Sequence, residues 1–129
     1  RSADAAGVGA VILADPRTDI YQPNVIRASL GTIFSVPVST ATNEEVLTWI
    51  KKNKIKSFAA IVGAKLKYVQ ADMSRPTAII IGTEHEGLSR FWQDNADVSI
   101  SIPMHGKIDS LNASVSAAVI LFEAVRQRR

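Results

Sequence analysis

The stretch ISIPMHGKIDSLNASVSAAVILFEAV (residues 100–125), read together with IIIGTEHEGLS (residues 79–89), decides how this chain folds. In each stretch an apolar run of strand length leads into a polar loop that contains glycine. The second loop then leads into a long apolar helix. Loops at the carboxyl ends of parallel strands form the ligand sites of open α/β sheets. The sequence therefore predicts one binding site that these two loops build together.

Strand and helix patterns alternate along the rest of the chain. Apolar runs rich in β-branched residues, without period-two alternation, are typical of strands buried on both faces of a parallel sheet. Such runs occupy residues 8–14, 57–62 and 77–82, and shorter strands are predicted at residues 34–39 and 98–102. Helices are predicted between them, with Gly7, Pro23, Gly31 and a Thr42–Glu45 capping box as boundary residues. The interpretation is one α/β domain over residues 1–129, with a mainly parallel sheet flanked by helices.

Composition is that of an ordinary globular chain. Among its 129 residues 47% are apolar, the net charge is +3, and there is no cysteine, so no disulfide or thiolate zinc site can form. Apolar runs are far shorter than the ~20 residues of a membrane helix, and no signal peptide is visible. We therefore expect a cytoplasmic protein without a membrane partner. The opening RSADAAG (residues 1–7) lies inside a helix pattern without a preceding cap, so we also expect a missing amino-terminal part.

The predicted final helix is apolar on nearly all sides. One stripe consists of Leu111, Val115, Ala118, Phe122 and Val125, and further alanine, isoleucine and leucine residues cover much of the remainder. A helix of this kind must be buried on more than one side. In so short a chain a second subunit is the simplest cover, which predicts a homodimer through this helix. Ser110 is its expected cap, and the arginines at its end are expected to be solvated.

The loop from Gly82 to Gly87 holds two glutamates and a histidine in a row. Adjacent side chains point in different directions and do not converge on an ion, so no metal site is predicted. Its glycines favour a loop whose backbone comes close to a ligand, and a simple turn with solvated carboxylates is the alternative. In the second loop, Pro103 and Gly106 fix an irregular path. His105 is expected to be a surface residue, since no Ser–His–carboxylate order accompanies it.

Three groups of residues are similar in order and spacing to the three motifs of the SpoU family of RNA 2′-O-ribose methyltransferases. The first is Arg1-Ser2-Ala3, and the second is Gly82-x-Glu84-x-x-Gly87-Leu88. The third is Ile102-Pro103-Met104-x-Gly106-x-x-x-Ser110-Leu111-Asn112-x-Ser114. Motifs two and three together are highly specific, whereas only the last residues of motif one are present. The resemblance extends over essentially the whole chain.

This resemblance implies a carboxyl-terminal deep trefoil knot, a homodimer and S-adenosylmethionine as cofactor, without a metal. Positions that match the family's cofactor site are Gly82, Thr83, Ile102, Met104 and Leu111. Positions that match its catalytic residues are Arg1, Glu84, Ser110 and Asn112. The implied substrate is a ribose 2′-hydroxyl of ribosomal or transfer RNA. A guanidinium stays protonated to pH ~12 or above, so we expect Arg1 to position phosphate and stabilise the oxyanion.

RNA contacts are weakly marked in the sequence. Arg27 and the lysines between residues 51 and 56 are candidates for phosphate contacts, and no basic patch interleaved with aromatic residues indicates a base-reading surface. Two other functions remain open. One is a non-catalytic RNA-binding or ribosome-assembly module with the same knotted fold. The other is a doubly wound nucleotide-binding enzyme without a knot.

Overall fold

The computed structural model describes residues 1–129. The helices are α1 (Ser2–Ala6), α2 (Pro23–Ser29), α3 (Asn43–Lys52), α4 (Arg90–Asn95) and α5 (Ala113–Gln127). The strands are β1 (Val11–Ala14), β2 (Val38–Ala41), β3 (Lys56–Ala60), β4 (Leu66–Lys67), β5 (Thr77–Ile80) and β6 (Val98–Ser101). The chain divides into two compact units, Arg1–Trp49 and Ile50–Arg129, with α3 running across the boundary. The interpretation as one domain therefore stays a prediction.

In the amino-terminal unit β1 and β2 form a parallel pair, with Val11 opposite Val38 and Ala14 opposite Ala41. The connection between them contains α2 and a 3₁₀ turn at Thr32–Phe34. Both strands are half-buried rather than covered on both faces. Val46 is the one apolar side chain of this unit that is buried. The boundary signals are confirmed at Gly7, which ends α1 in the left-handed conformation, and at Pro23, which begins α2.

The strand predicted at residues 34–39 is wrong in its first half. Gly31 adopts a left-handed φ of 78°, and the backbone continues as a 3₁₀ turn in which Phe34 N–H donates to the Gly31 carbonyl. The Thr32 hydroxyl also donates to the Ser29 carbonyl at 2.6 Å, which ties this turn to the end of α2. Side-chain bonds of this local kind compete with strand pairing. The ladder therefore begins only at Val38, after Pro37, which has no N–H to donate.

The carboxyl-terminal unit is built on a four-stranded parallel sheet in the order β4-β6-β3-β5. Its central strand β3 is buried at Ser57, Phe58 and Ala59, as its unbroken apolar run predicts. The predicted α/β class with mainly parallel strands is thereby confirmed. The short edge strand β4 and the 3₁₀ turn Tyr68–Gln70 that follows it carry no apolar run, and the sequence did not predict either of them.

Helix α5 packs one face on this sheet. Ile120 and Ala124 are buried in the core with Phe58, Met73 and Ile100. On the helix surface away from the core, Val115 and Phe122 are each 46% exposed. These two residues are seven positions apart and therefore lie on one side of the helix. An apolar strip of α5 is thus left without cover in the chain by itself. No helix of the structure has the length and apolar character that crossing a membrane requires.

Polar groups fasten the last turn of α5 to residues 71–75. Gln127 accepts from Met73 N–H at 2.7 Å and donates to the Ala71 carbonyl, while Arg128 donates to the carbonyls of Met73 and Arg75. The arginines at this end are exposed, as expected, and Arg128 combines this exposure with its two bonds to backbone carbonyls. Inside the same turn, Arg126 and Gln127 both donate to the buried carboxylate of Glu123. These bonds, from Arg126 first, lower the pKa of Glu123 to about 2.

Candidate functional site

The two polar loops singled out in the sequence line one cavity of about 300 Å³ in the carboxyl-terminal unit. It lies at the carboxyl ends of β3, β5 and β6, where the loops that follow these strands meet. Seven of the predicted site residues line it: Gly82, Thr83, Glu84, Ile102, Met104, Ser110 and Leu111. The position agrees with the rule that open α/β sheets bind ligands beyond the carboxyl ends of their strands.

Gly82 is required by close approach rather than by its dihedral angles, since its φ is not left-handed. A Cβ at this position would lie 2.2 Å from the Gly87 carbonyl carbon and 2.2 Å from Leu88 N. The loop is folded back by two reciprocal backbone bonds, from Thr83 N–H to Gly87 O at 3.2 Å and from Gly87 N–H to Thr83 O at 2.9 Å. Only glycine fits where the two sides of this loop come together, so residue 82 fixes how the first loop closes.

The second loop ends at the amino terminus of α5, where the structure corrects the predicted cap. Asn112, not Ser110, is the N-cap, and its Oδ1 accepts from the N–H groups of Ser114 and Val115 at 2.9 and 3.4 Å. Ser110 lies two residues too early to reach those donors and lines the cavity instead. The amide Nδ2 of Asn112 is then free to donate to the Glu84 carboxylate.

Glu84 therefore joins the two loops. Its Oε1 accepts from the side chain of Asn112 and lies 3.4 Å from the N–H of Ala113. A carboxylate at a helix amino terminus is stabilised by the partial positive charge of the free N–H groups there. Glu84 and Asn112 are 28 positions apart in the chain, yet they form one polar unit at the rim of the cavity.

The remaining wall of the cavity is mainly apolar. Ile81, Leu88, Ile100 and Ile102 contribute hydrophobic surface, and Thr83 and Ser110 place hydroxyl groups among them. His85, Glu86 and Ser116 also line the cavity, although the sequence reasoning assigned them no role. No three histidine or acidic side chains are grouped so that they could hold a metal ion. Apolar walls with a few directed polar groups suit a flat organic ligand with polar edges, such as a nucleoside.

Arg1 and Arg27 lie in the amino-terminal unit. Arg1 is exposed and borders a largely apolar cavity of about 420 Å³, together with Arg17, Val25 and Val36. Arg27 is exposed on the last turn of α2. The predicted site residues therefore form two groups. Those of the two polar loops lie in the carboxyl-terminal unit, and the two arginines lie in the amino-terminal unit.

Residues 1–122 match the model of the SpoU rRNA Methylase family. The chain is 37% identical over 134 residues to a 23S rRNA (uridine(2479)-2′-O)-methyltransferase of Streptomyces viridochromogenes, which covers 99% of this chain and 47% of that protein. The crystal structure of an RNA 2′-O ribose methyltransferase has a TM-score of 0.90 at 47% identity, covering 98% of this chain and 49% of the other.

A second similar structure contains a ligand. The SpoU methyltransferase AviRb from Streptomyces viridochromogenes, in complex with the cofactor AdoMet, has a TM-score of 0.92 at 37% identity. The match covers 98% of this chain and 53% of AviRb. The fold and sequence similarities agree: the chain belongs to the SpoU rRNA methylase family. It spans about half the length of the relatives that it matches.

Proposed function

We propose that this protein transfers a methyl group from S-adenosylmethionine to a ribose 2′-hydroxyl of ribosomal or transfer RNA. The observation that carries the proposal is the cavity between the Gly82 loop and the loop before α5, in a chain of the SpoU family. The relatives support it, because one is named a 23S rRNA 2′-O-methyltransferase and another is a complex with AdoMet. The rival function is a nucleotide-binding enzyme without a knot. It predicts binding of nicotinamide nucleotides in place of S-adenosylhomocysteine.

We assign cofactor binding to the residues around that cavity. Ile102 and Leu111 supply apolar surface against the faces of the adenine, and Gly82, which also lines the cavity, offers its backbone groups to the ligand. Thr83 and Met104 complete the wall. The bound cofactor supplies a methyl group that is already electrophilic on its sulfonium. The protein's main task is therefore to align the acceptor oxygen with that methyl group.

The polar unit of Glu84 and Asn112 is proposed to organise the acceptor side of the reaction, with Ser110 beside it. Because Asn112 holds the carboxylate of Glu84 at the amino end of α5, that carboxylate is fixed in direction before substrate binds. Arg1 is assigned to position a phosphate and to stabilise the negative charge that develops on the ribose oxygen. Arg27 is assigned to a phosphate contact elsewhere on the RNA.

We also propose the finer features that family resemblance implies. Residues 102–112 would pass through a loop to form a deep trefoil knot, which brings the second loop against the first. The exposed strip of Val115 and Phe122 on α5 supports a homodimer, because a partner helix would remove this apolar surface from water. Action on RNA in the cytoplasm is part of the same proposal.

The test measures cofactor binding and methyl transfer separately in the whole protein. We expect Arg1→Ala to abolish transfer of labelled methyl to rRNA or tRNA while the affinity for S-adenosylhomocysteine stays almost unchanged. Arg90→Ala, which removes another exposed arginine, is the matched control and should keep both. Equal loss of both properties in Arg1→Ala would contradict the division of roles. Cofactor binding without transfer to any RNA, in the unchanged protein, would favour the non-catalytic RNA-binding module.

A further inference from the structure

Two exposed aromatic rings lie together on the amino-terminal unit. Tyr21 is in the loop before α2, and Phe34 ends the 3₁₀ turn after it. Their ring planes are 13° from parallel and their centroids are 6.3 Å apart. Nearly parallel rings at this separation are displaced sideways, because directly overlapping rings would be in contact at a much shorter distance. Most of each ring face is therefore uncovered, in agreement with exposures of 54% for Tyr21 and 68% for Phe34.

Both rings are held by ordered backbone. Tyr21 N–H donates to Asp19 Oδ1 at 2.9 Å, and Phe34 N–H donates to the carbonyl of Gly31 at 3.1 Å. The turn between α2 and Phe34 also exposes Leu30, at 70%, in a left-handed conformation with φ 52°. That conformation is unfavourable for a residue with a Cβ. Leu30, which ends α2 as its C-cap, is thus a further exposed apolar residue in the turn that leads to Phe34.

Cations accompany the rings. Arg17 lies in the same loop as Tyr21, and Arg27 lies on α2 between the two aromatic residues in the chain; both are exposed. Neither has a carboxylate partner, since the ion pairs of the structure are Arg90–Asp94 and Arg126–Glu123. The nearby carboxylate of Asp19 is engaged by the backbone of Tyr21. Exposed aromatic faces with unpaired arginines are the combination that binds unpaired nucleotides, through stacking and phosphate contacts.

We propose that Tyr21 and Phe34 form a stacking platform for an unpaired nucleobase of the RNA substrate, with Arg17 and Arg27 available to the adjoining phosphates. This inference rests on the proposed function and adds the form in which the RNA is held, as a single-stranded segment. A base is favoured over a protein partner because both rings present flat faces in nearly one orientation. The sequence did not indicate the platform, because its rings are separated by 13 positions without alternating basic residues.

The experiment uses the whole protein and a fluorescently labelled, unstructured oligoadenylate of about 12 nucleotides, with a duplex RNA of equal length as comparison. Base stacking contributes about 1–3 kcal/mol per base, so Tyr21→Leu and Phe34→Leu should each weaken single-strand binding about 5- to 150-fold. Tyr21→Phe keeps the ring and should bind within about twofold of the unchanged protein. Phe34→Trp enlarges the stacking face and should bind as tightly or more tightly, which tests the proposal even if a leucine variant fails to fold.

Two further readouts identify what the rings do. The slope of log affinity against log salt should be the same in the leucine variants, because stacking releases no counterions. Duplex affinity should not change. Unaltered single-strand affinity in folded leucine variants, or a shift in oligomeric state without any loss of RNA binding, would overturn the platform. Methyl transfer and S-adenosylhomocysteine binding are measured on the same samples. If the unchanged protein transfers methyl groups but the leucine variants keep their single-strand affinity, the platform alone is wrong. If the unchanged protein lacks methyl transfer, the proposed function fails instead.

Discussion

Gly82→Ala is expected to disable cofactor binding by steric conflict within the first loop. The added methyl group would lie 2.2 Å from both Gly87 C and Leu88 N, and 2.4 Å from Gly87 O. Ordinary carbon contacts are about 3.5–4.0 Å, so the opposite strand of the turn must move by more than about 1 Å. This movement strains the reciprocal bonds between Thr83 and Gly87.

The magnitude follows from two contributions. Overpacking of this kind costs about 1–3 kcal/mol, and each weakened backbone bond adds about 1 kcal/mol. A displacement of about 1 Å in a ligand site can reduce function about 100-fold. We therefore expect S-adenosylhomocysteine affinity to fall about 100-fold and the thermal stability to fall as well.

Isothermal titration calorimetry with S-adenosylhomocysteine measures the affinity, and a thermal melt reports the fold. The matched control is Gly9→Ala, because a Cβ at Gly9 meets nothing within 4 Å and its φ is not left-handed. It should bind like the unchanged protein. Retained affinity in Gly82→Ala, within about twofold, would refute the inference that this close backbone approach shapes the ligand site.

Substitutions at three other positions test the carboxyl-terminal helix. Glu123→Gln should lower the free energy of unfolding by about 1 kcal/mol at neutral pH. Folding depresses the pKa of Glu123 from 4.5 to about 2, so the difference from the unchanged protein should be complete above about pH 4.5 and vanish as the pH falls to about 2. Denaturant unfolding measured across this pH range checks both statements. Asn112→Ala should cost about 1 kcal/mol in the same assay and Asn112→Ser less, since serine keeps a capping oxygen; equal losses would argue against the cap. Phe122→Glu should weaken the proposed dimer at least about 30-fold in sedimentation equilibrium, whereas Ile108→Glu, an exposed apolar control outside α5, should not.

Local signals in the sequence predicted the fold well where the deciding bonds are themselves local. Thr42 and Glu45 make the two bonds of the predicted capping box, at 3.1 and 3.2 Å. Gly7 and Pro23 mark the predicted helix boundaries. Unbroken apolar runs identified the parallel strands, because a strand covered on both faces has no reason to alternate.

Errors arose where several local bonds compete. At Phe34 a left-handed glycine and a threonine hydroxyl together favour a 3₁₀ turn over strand pairing, and the pattern of apolar residues does not register either. At the start of α5, Ser110 and Asn112 are both good caps by residue type. Asn112 is the cap that forms, because its Oδ1 accepts both backbone N–H bonds while its Nδ2 donates to Glu84. Glu84 belongs to a loop distant in the chain, so this second bond could not be read from the local sequence.

Side-chain partners distant in the chain could not be predicted from spacing. Gln127 is 54 positions from Met73, and Asn112 is 28 from Glu84. Periodicity reports which face of an element is apolar, but it contains no information on which loop lies against that face. For the candidate site, the sequence therefore identified the two loops and seven of the lining residues, whereas the polar unit between the loops emerged only from the tertiary structure.

Helix α5 is anchored to other elements at both ends, to Glu84 at its first turn and to residues 71–75 at its last. Helix ends ordinarily fray, so their amide hydrogens exchange with solvent early. Here neither terminus can open without releasing a loop. Deuterium uptake along α5 should therefore be uniformly slow, and the helix should open only when the whole carboxyl-terminal unit opens with it. A helix that is held at both ends keeps the rim of the cavity in place.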